Sequence, residues 1–120
     1  MATRRPSSAK SASFADVVRL ALELPGVKES TSYGTPALKV GGKLFARLKE
    51  DGETLVLRMD AVNRGFLLEA QSNLFYITDH YRDYPWILLR LAEVSQDRLR
   101  ELLEDAWRLA APPRIRKNMG

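Results

Sequence analysis

One short stretch holds most of the residues whose types could do chemistry: Thr78-Asp79-His80-Tyr81-Arg82-Asp83-Tyr84-Pro85-Trp86. His80 is the only histidine in the chain. An imidazole set between Asp79 and Asp83 could be held as imidazolium or oriented as a general base, while Tyr81, Tyr84 and Trp86 offer rings for stacking. The hydroxyls of Ser30, Thr31 and Ser32 lie in a separate segment, and a Ser/His/Asp arrangement depends on geometry that spacing does not supply. The expected role of His80 is structural, tying its loop to backbone carbonyls, and no catalytic set is assigned. Asp79 and Asp83 lack the glycine and glutamate spacing of an EF-hand loop, so no metal is expected. Ser32-Tyr33-Gly34-Thr35-Pro36 matches neither phosphate-loop pattern and reads as a tight turn presenting Tyr33. The 120 residues contain no cysteine, which removes disulfides, thiolate nucleophiles, zinc ribbons and iron–sulfur clusters. No cofactor is expected.

The elements that must position these residues follow from periodicity. Ser13-Phe14-Ala15-Asp16 has the form of a capping box, and Phe14, Val17, Val18, Ala21 and Leu24 fall on one helical face until Pro25-Gly26 ends it. The run from Val27 to Pro36 shows no period and reads as a polar loop. Ala37–Val40 and Lys43–Lys49 flank Gly41-Gly42, a pair suited to a two-residue hairpin turn. In Lys43–Lys49 the alternation predicts Leu44, Ala46 and Leu48 on one face and Lys43, Phe45, Arg47 and Lys49 on the other. Thr54–Arg58 completes a three-stranded meander. Asp60 caps a helix over Ala61–Ala70; Leu74–Thr78 and Trp86–Leu91 extend the sheet. Ser95 caps a last helix whose buried stripe is Leu99, Leu102, Leu103, Ala106 and Ala110, stopped by Pro112-Pro113. The expected fold is a two-layer α+β domain: an antiparallel sheet with the N- and C-terminal helices packed on one face. The domain spans 13–111, with residues 1–12 a disordered basic leader and 112–120 a flexible basic tail.

The formal charge is +4, which by itself points towards polyanions. Its distribution weakens that reading. Arg4, Arg5, Lys10, Arg114, Arg116 and Lys117 lie in the two ends, which hold no acid, so residues 14–111 carry 13 basic against 15 acidic side chains, a net of −2. Two basic arms would give weak, salt-sensitive contact with DNA. No run approaches the ~18 apolar residues needed to span a bilayer, and with no secretory signal a cytoplasmic location is expected.

Phe14 to Val27, Ser32-Tyr33-Gly34-Thr35-Pro36-Ala37-Leu38-Lys39-Val40, Lys43-Leu44-Phe45-Ala46, Asp79-His80-Tyr81-Arg82 and Tyr84-Pro85-Trp86, in that order, resemble the MmcQ/YjbR family of small bacterial proteins. The likeness covers roughly residues 14–111. It implies a CyaY-like α+β fold with a double-wing arrangement and a DNA-binding role, without an agreed catalytic set. The tails match nothing in it.

Three expectations follow. The first is a non-enzymatic binding module that contacts DNA weakly, with Lys39, Lys43, Arg47, Lys49 and Arg58 meeting phosphates and Phe45 or Tyr33 stacking. The alternative is a small-molecule or peptide-binding domain with a pocket between the Ser30–Pro36 and Asp79–Trp86 segments, built from Ser32, Tyr33, His80, Tyr84 and Trp86. Dimerisation through the exposed sheet face is a third.

Overall fold

The computed structural model describes residues 12–119. Helix α1 (Phe14–Ala21) begins where the Ser13 amide donates to the Asp16 carboxylate at 3.0 Å, and it buries Val17, Leu20 and Ala21. Strands β1 (Val27–Ser32), β2 (Thr35–Val40), β3 (Lys43–Leu48) and β4 (Thr54–Arg58) form a meander. Helix α2 (Ala61–Ala70), strand β5 (Phe75–Tyr76), a 3₁₀ turn (Asp79–Tyr81) and strand β6 (Trp86–Arg90) follow. Helix α3 (Gln96–Ala110) is capped by the Ser95 hydroxyl accepting from the Arg98 amide, and one further turn, α4 (Pro113–Arg116), closes the fold. The six strands lie in the order β1-β2-β3-β4-β6-β5, every neighbouring pair antiparallel. The chain is thus an α+β domain.

Alternation along β4 and β6 sorts the sheet into two faces. Leu55, Leu57, Ile87 and Leu89 join α1 and α3 in the main core, where Trp107 is fully buried and its indole N–H donates to the Pro25 carbonyl at 2.9 Å. Val56 and Leu88 point the other way and are covered by Tyr81, with Tyr76, Ile77 and Trp86 around them. The second sheet face is therefore half-roofed by the segment between β5 and β6. No described helix is long and apolar enough to cross a membrane.

Three expectations change. Residues 27–32 form an edge strand and not a loop, paired with β2 from Val27↔Val40 to Ser32↔Thr35. A polar edge strand with no fully buried residue shows no clear period, so its pairing is set by the turn that follows. Tyr33 and Gly34 both take positive φ, 53° and 79°, as a two-residue hairpin of the type I′ class requires. The tail folds back: Arg116 donates to the Arg108 and Ala111 carbonyls, and Ile115 packs against the core. Gly41 is fixed by the same contact, since a Cβ there would meet Pro112 Cδ at 2.7 Å and its φ is +58°. Of the basic leader, only Ala12 lies within the described residues, its amide donating to the Leu91 carbonyl.

The third change is a β-bulge. Between Leu38 and Lys39 the partner in β3 jumps from Ala46 to Leu44, leaving Phe45 as the extra residue. Strict alternation fails at that point. Phe45 turns into the helix-covered core with no exposed surface, beside Ala46, and Leu44 moves to the open face. The expectation that Phe45 sits on a basic outer stripe is thereby overturned.

Acid should loosen the fold. Backbone amides lower the carboxyls of Asp16 (from Ser13) and Asp60 (from Asn63) below their ordinary value. At Asp51 burial pulls upward, and the amides of Glu53 and Thr54 with the Thr54 hydroxyl more than offset it. Because these groups bind protons more weakly folded than unfolded, their contribution is complete above the unfolded value of about 3.9 and is lost as pH falls through the folded values. Asp105, raised by burial and then by Glu104, works in the opposite sense. The urea midpoint is expected to decline between about pH 5 and pH 2.5; a level midpoint across that range refutes the assignment.

Candidate functional site

Three elements converge over the open sheet face. The β1–β2 turn brings Ser32 and Tyr33, β3 and β4 supply Leu44, Arg47 and Val56, and the segment leading into β6 adds His80, Tyr81, Tyr84 and Trp86. Together they line a cleft of about 410 Å³. It adjoins a second hollow of about 400 Å³ that shares Tyr33, Arg47, His80 and Tyr81 and continues to Lys49, Glu50 and Thr78. Ser32, Tyr33, His80, Tyr84 and Trp86, singled out in the sequence, all line the first cleft; Leu44, Arg47, Val56 and Tyr81 were not assigned to it.

Arg47 is the centre of the arrangement. Its side chain is only 5% exposed, because alternation after the bulge points it onto the open face beneath Tyr81 and the β1–β2 turn. One terminal nitrogen, Nη1, donates to Thr35 Oγ1 at 2.9 Å, with longer contacts of 3.4 Å to the Leu48 carbonyl and to Glu50 Oε2. Nη2 donates to the Tyr81 hydroxyl at 2.6 Å. The Tyr33 ring lies 5.2 Å from the guanidinium carbon. Glu50, the sole acid in salt-bridge reach among the described residues, is 60% exposed; its carboxyl is lowered first by its own backbone amide and, after an opposing desolvation, by Arg47.

The rim is aromatic and exposed. Tyr33 is 83% exposed and Tyr84 60%. Tyr33 holds its positive φ at a cost of about 1–2 kcal/mol relative to glycine, so an exposed ring is carried at a position where a smaller residue is easier. His80 is exposed and meets Tyr81 edge-to-face, centroids 4.7 Å apart. No described residue hydrogen-bonds its imidazole, so neither the expected carbonyl tie nor a hydroxyl partner is present in the described structure. Asp79 pairs with Arg82.

The residues expected to meet DNA are dispersed. Phe45 is buried in the core and Arg47 in the cleft wall. Arg58 donates twice to the Leu44 carbonyl, at 2.9 and 2.7 Å, and lies 4.7 Å from the centre of the Trp86 ring. Lys39 lines a separate hollow of about 460 Å³ with Gly26, Gly41 and Ile115, which has neither an aromatic face nor a buried charge. Lys43 stands exposed at the β2–β3 turn, and Lys49 is half-buried beside the second hollow.

Sequence reading also missed Arg64. From α2 its guanidinium donates to the carbonyls of Tyr84 (2.6 Å), Arg82 (2.8 Å), Trp86 (3.1 Å) and Tyr81 (3.4 Å). One side chain thus ties four carbonyls of the outer wall to α2. Nothing about a lone arginine on an amphipathic helix signals that role.

A six-stranded antiparallel sheet with helices on one face and a roofed cleft on the other defines the class, a small two-layer α+β domain. The YjbR family model matches residues 22–109, and the chain belongs to that family. Uncharacterized proteins of Mycobacterium tuberculosis and Mycobacterium bovis are 30% identical over 122 residues, covering 87% of this chain and 92% of theirs. A crystal structure from Deinococcus radiodurans, described under the family-model domain DUF419, has a TM-score of 0.73 at 22% identity over 97% of this chain and 92% of that one. That likeness shows the fold.

Proposed function

We propose that this domain is a non-enzymatic binding module that takes a small molecule into the cleft between the β1–β2 turn and the segment 78–86. The observation that carries the reading is a nearly buried arginine in the wall of a concave, aromatic-rimmed space. Its size lies within the roughly 300–1,000 Å³ of small-ligand pockets, and few convergent polar groups on a largely apolar lining is their usual chemistry. Binding fits better than turnover, since His80 has no hydroxyl partner among the described residues. DNA contact through the strand face has less support: of the six residues expected to make it, Phe45 and Arg47 are buried and Lys39 lies apart.

Amide NMR mapping of the full chain against sets of small aromatic acids, aliphatic acids, amines and nucleosides separates the two. We expect shifts concentrated at Tyr33, Arg47, His80 and Trp86. Shifts confined to Lys43 and Lys49, obtained with duplex DNA and abolished by moderate salt, would overturn the ligand reading in favour of the strand face.

A further inference from the structure

The chemistry of the cleft is more specific than its shape. A guanidinium withdrawn from water costs free energy unless an anion and enough hydrogen bonds compensate it. Arg47 is 5% exposed, yet its nearest partners are two hydroxyls and a carbonyl, and Glu50 reaches it only at 3.4 Å from a solvated position. Both terminal nitrogens of Arg47 are partnered and none of its atoms is buried without a partner, so its remaining N–H groups are left to solvent in the cleft, where an anion can replace the water. The Tyr81 hydroxyl spends a lone pair on Arg47, and no described residue accepts its proton; nor does any accept from Arg47 Nε. Tyr81 is 8% exposed and lines both hollows. The Tyr81 O–H and the second N–H of Arg47 Nη2, which lies 2.6 Å from that hydroxyl, make a receptor for one oxyanion.

Past that point the cleft turns apolar. Leu44 and Val56 form its floor, and Trp86, Tyr84 and Tyr33 supply ring faces or edges around it. A flat apolar body fits between such walls. Charge settles the kind of anion. With Arg47 the one buried cation among the described residues, Glu50 in reach of it, Asp79 paired with Arg82 and Asp83 on the same segment, a monoanion is matched and a dianionic phosphate is not.

Building on the cleft as a ligand site, the geometry points to a planar aromatic carboxylate as its ligand, the carboxylate accepting from Tyr81 O–H and Arg47 N–H and the ring lying on Leu44 and Val56 among Tyr33, Tyr84 and Trp86. Tyr81 and Arg47 are then the specificity-determining pair. Arg47 Nη1 stays bound to Thr35, so the receptor is held in place before the ligand arrives.

The test is a titration of the full chain with naphthoate, its neutral amide naphthamide, cyclohexanecarboxylate and phenyl phosphate, read from the amide signals of Tyr33, Arg47, His80 and Trp86. Naphthoate is expected to bind, with naphthamide and cyclohexanecarboxylate weaker by about tenfold or more. Tyr81→Phe, which keeps the ring, should weaken naphthoate by about tenfold and naphthamide by clearly less, because a neutral carbonyl accepts more weakly than a carboxylate. Equal binding of naphthoate and naphthamide to the unaltered chain overturns the acid while leaving the cleft as a ligand site. Tighter binding of phenyl phosphate overturns the carboxylate in the same way. If none of the four moves the cleft signals, and the broader set of small molecules fails too, both readings fall together. The comparison on the unaltered chain decides the matter even if Tyr81→Phe does not fold.

Discussion

Phe45→Ala is expected to cost about 3–5 kcal/mol of folding stability, lowering Tm by about 15 °C or more. The ring has no exposed surface and packs in the main core beneath α1 and α3, so truncation leaves a cavity that the surrounding sheet can only partly fill. An outward-facing stacking residue would behave otherwise: its loss would weaken binding and spare the fold. Lys43→Ala is the control, because Lys43 stands exposed two residues away on the same strand and should change stability by less than about 0.5 kcal/mol. Equal melting temperatures for the Phe45→Ala and unaltered chains would return Phe45 to the surface and the bulge to an ideal register.

That contrast shows where sequence reading stops. Helices α1 and α3 are legible because each buries one face, which writes a period into the residues, and strands β2 to β4 because short apolar runs are bounded by turn residues such as Gly41-Gly42. Strand β1 writes none, because Val27–Ser32 is a polar edge, and the turn that fixes its register hides behind a tyrosine where asparagine or glycine is the usual signal. A bulge is harder still. One extra residue between Ala46 and Leu44 exchanges the faces of Leu44 and Phe45 while leaving both apolar, so the pattern before and after it looks continuous.

The candidate site divides along the same line. Tyr33, His80, Tyr84 and Trp86 are visible because aromatic and polar residues are dense in two short segments, and the fold places those segments opposite each other. Arg47 is visible only as one basic residue among several on a strand. Its burial is a consequence of what arrives from elsewhere: the Tyr81 hydroxyl from far along the chain and the Thr35 hydroxyl across the hairpin. Such a partner set is written in tertiary contacts, not in spacing.

Arg64→Met is expected to open the cleft while sparing the sheet. Methionine keeps most of the apolar stem and deletes four hydrogen bonds to the carbonyls of Tyr81, Arg82, Tyr84 and Trp86. The Tyr81 and Tyr84 carbonyls also accept from the Tyr84 and Trp86 amides within the segment, so what the substitution removes is chiefly the tie between the segment and α2. Bonds from a charged donor contribute about 1.5–3 kcal/mol each when buried, but two of these lie at exposed carbonyls that water can reclaim. The expected global loss is therefore about 2 kcal/mol, well short of the sum. The local effect is larger. Amide exchange should quicken from Tyr81 to Trp86, while the amides of β3 and β4 keep their protection, and ligand shifts at Tyr33 and His80 should fall away with the wall. Arg64→Lys should rescue little, because one ammonium lacks the planar fork that reaches both the Arg82 and Trp86 sides. If exchange between Tyr81 and Trp86 is unchanged in Arg64→Met, the segment is held by Tyr81 and Trp86 packing on Val56 and Leu88, and α2 has no part in shaping the cleft.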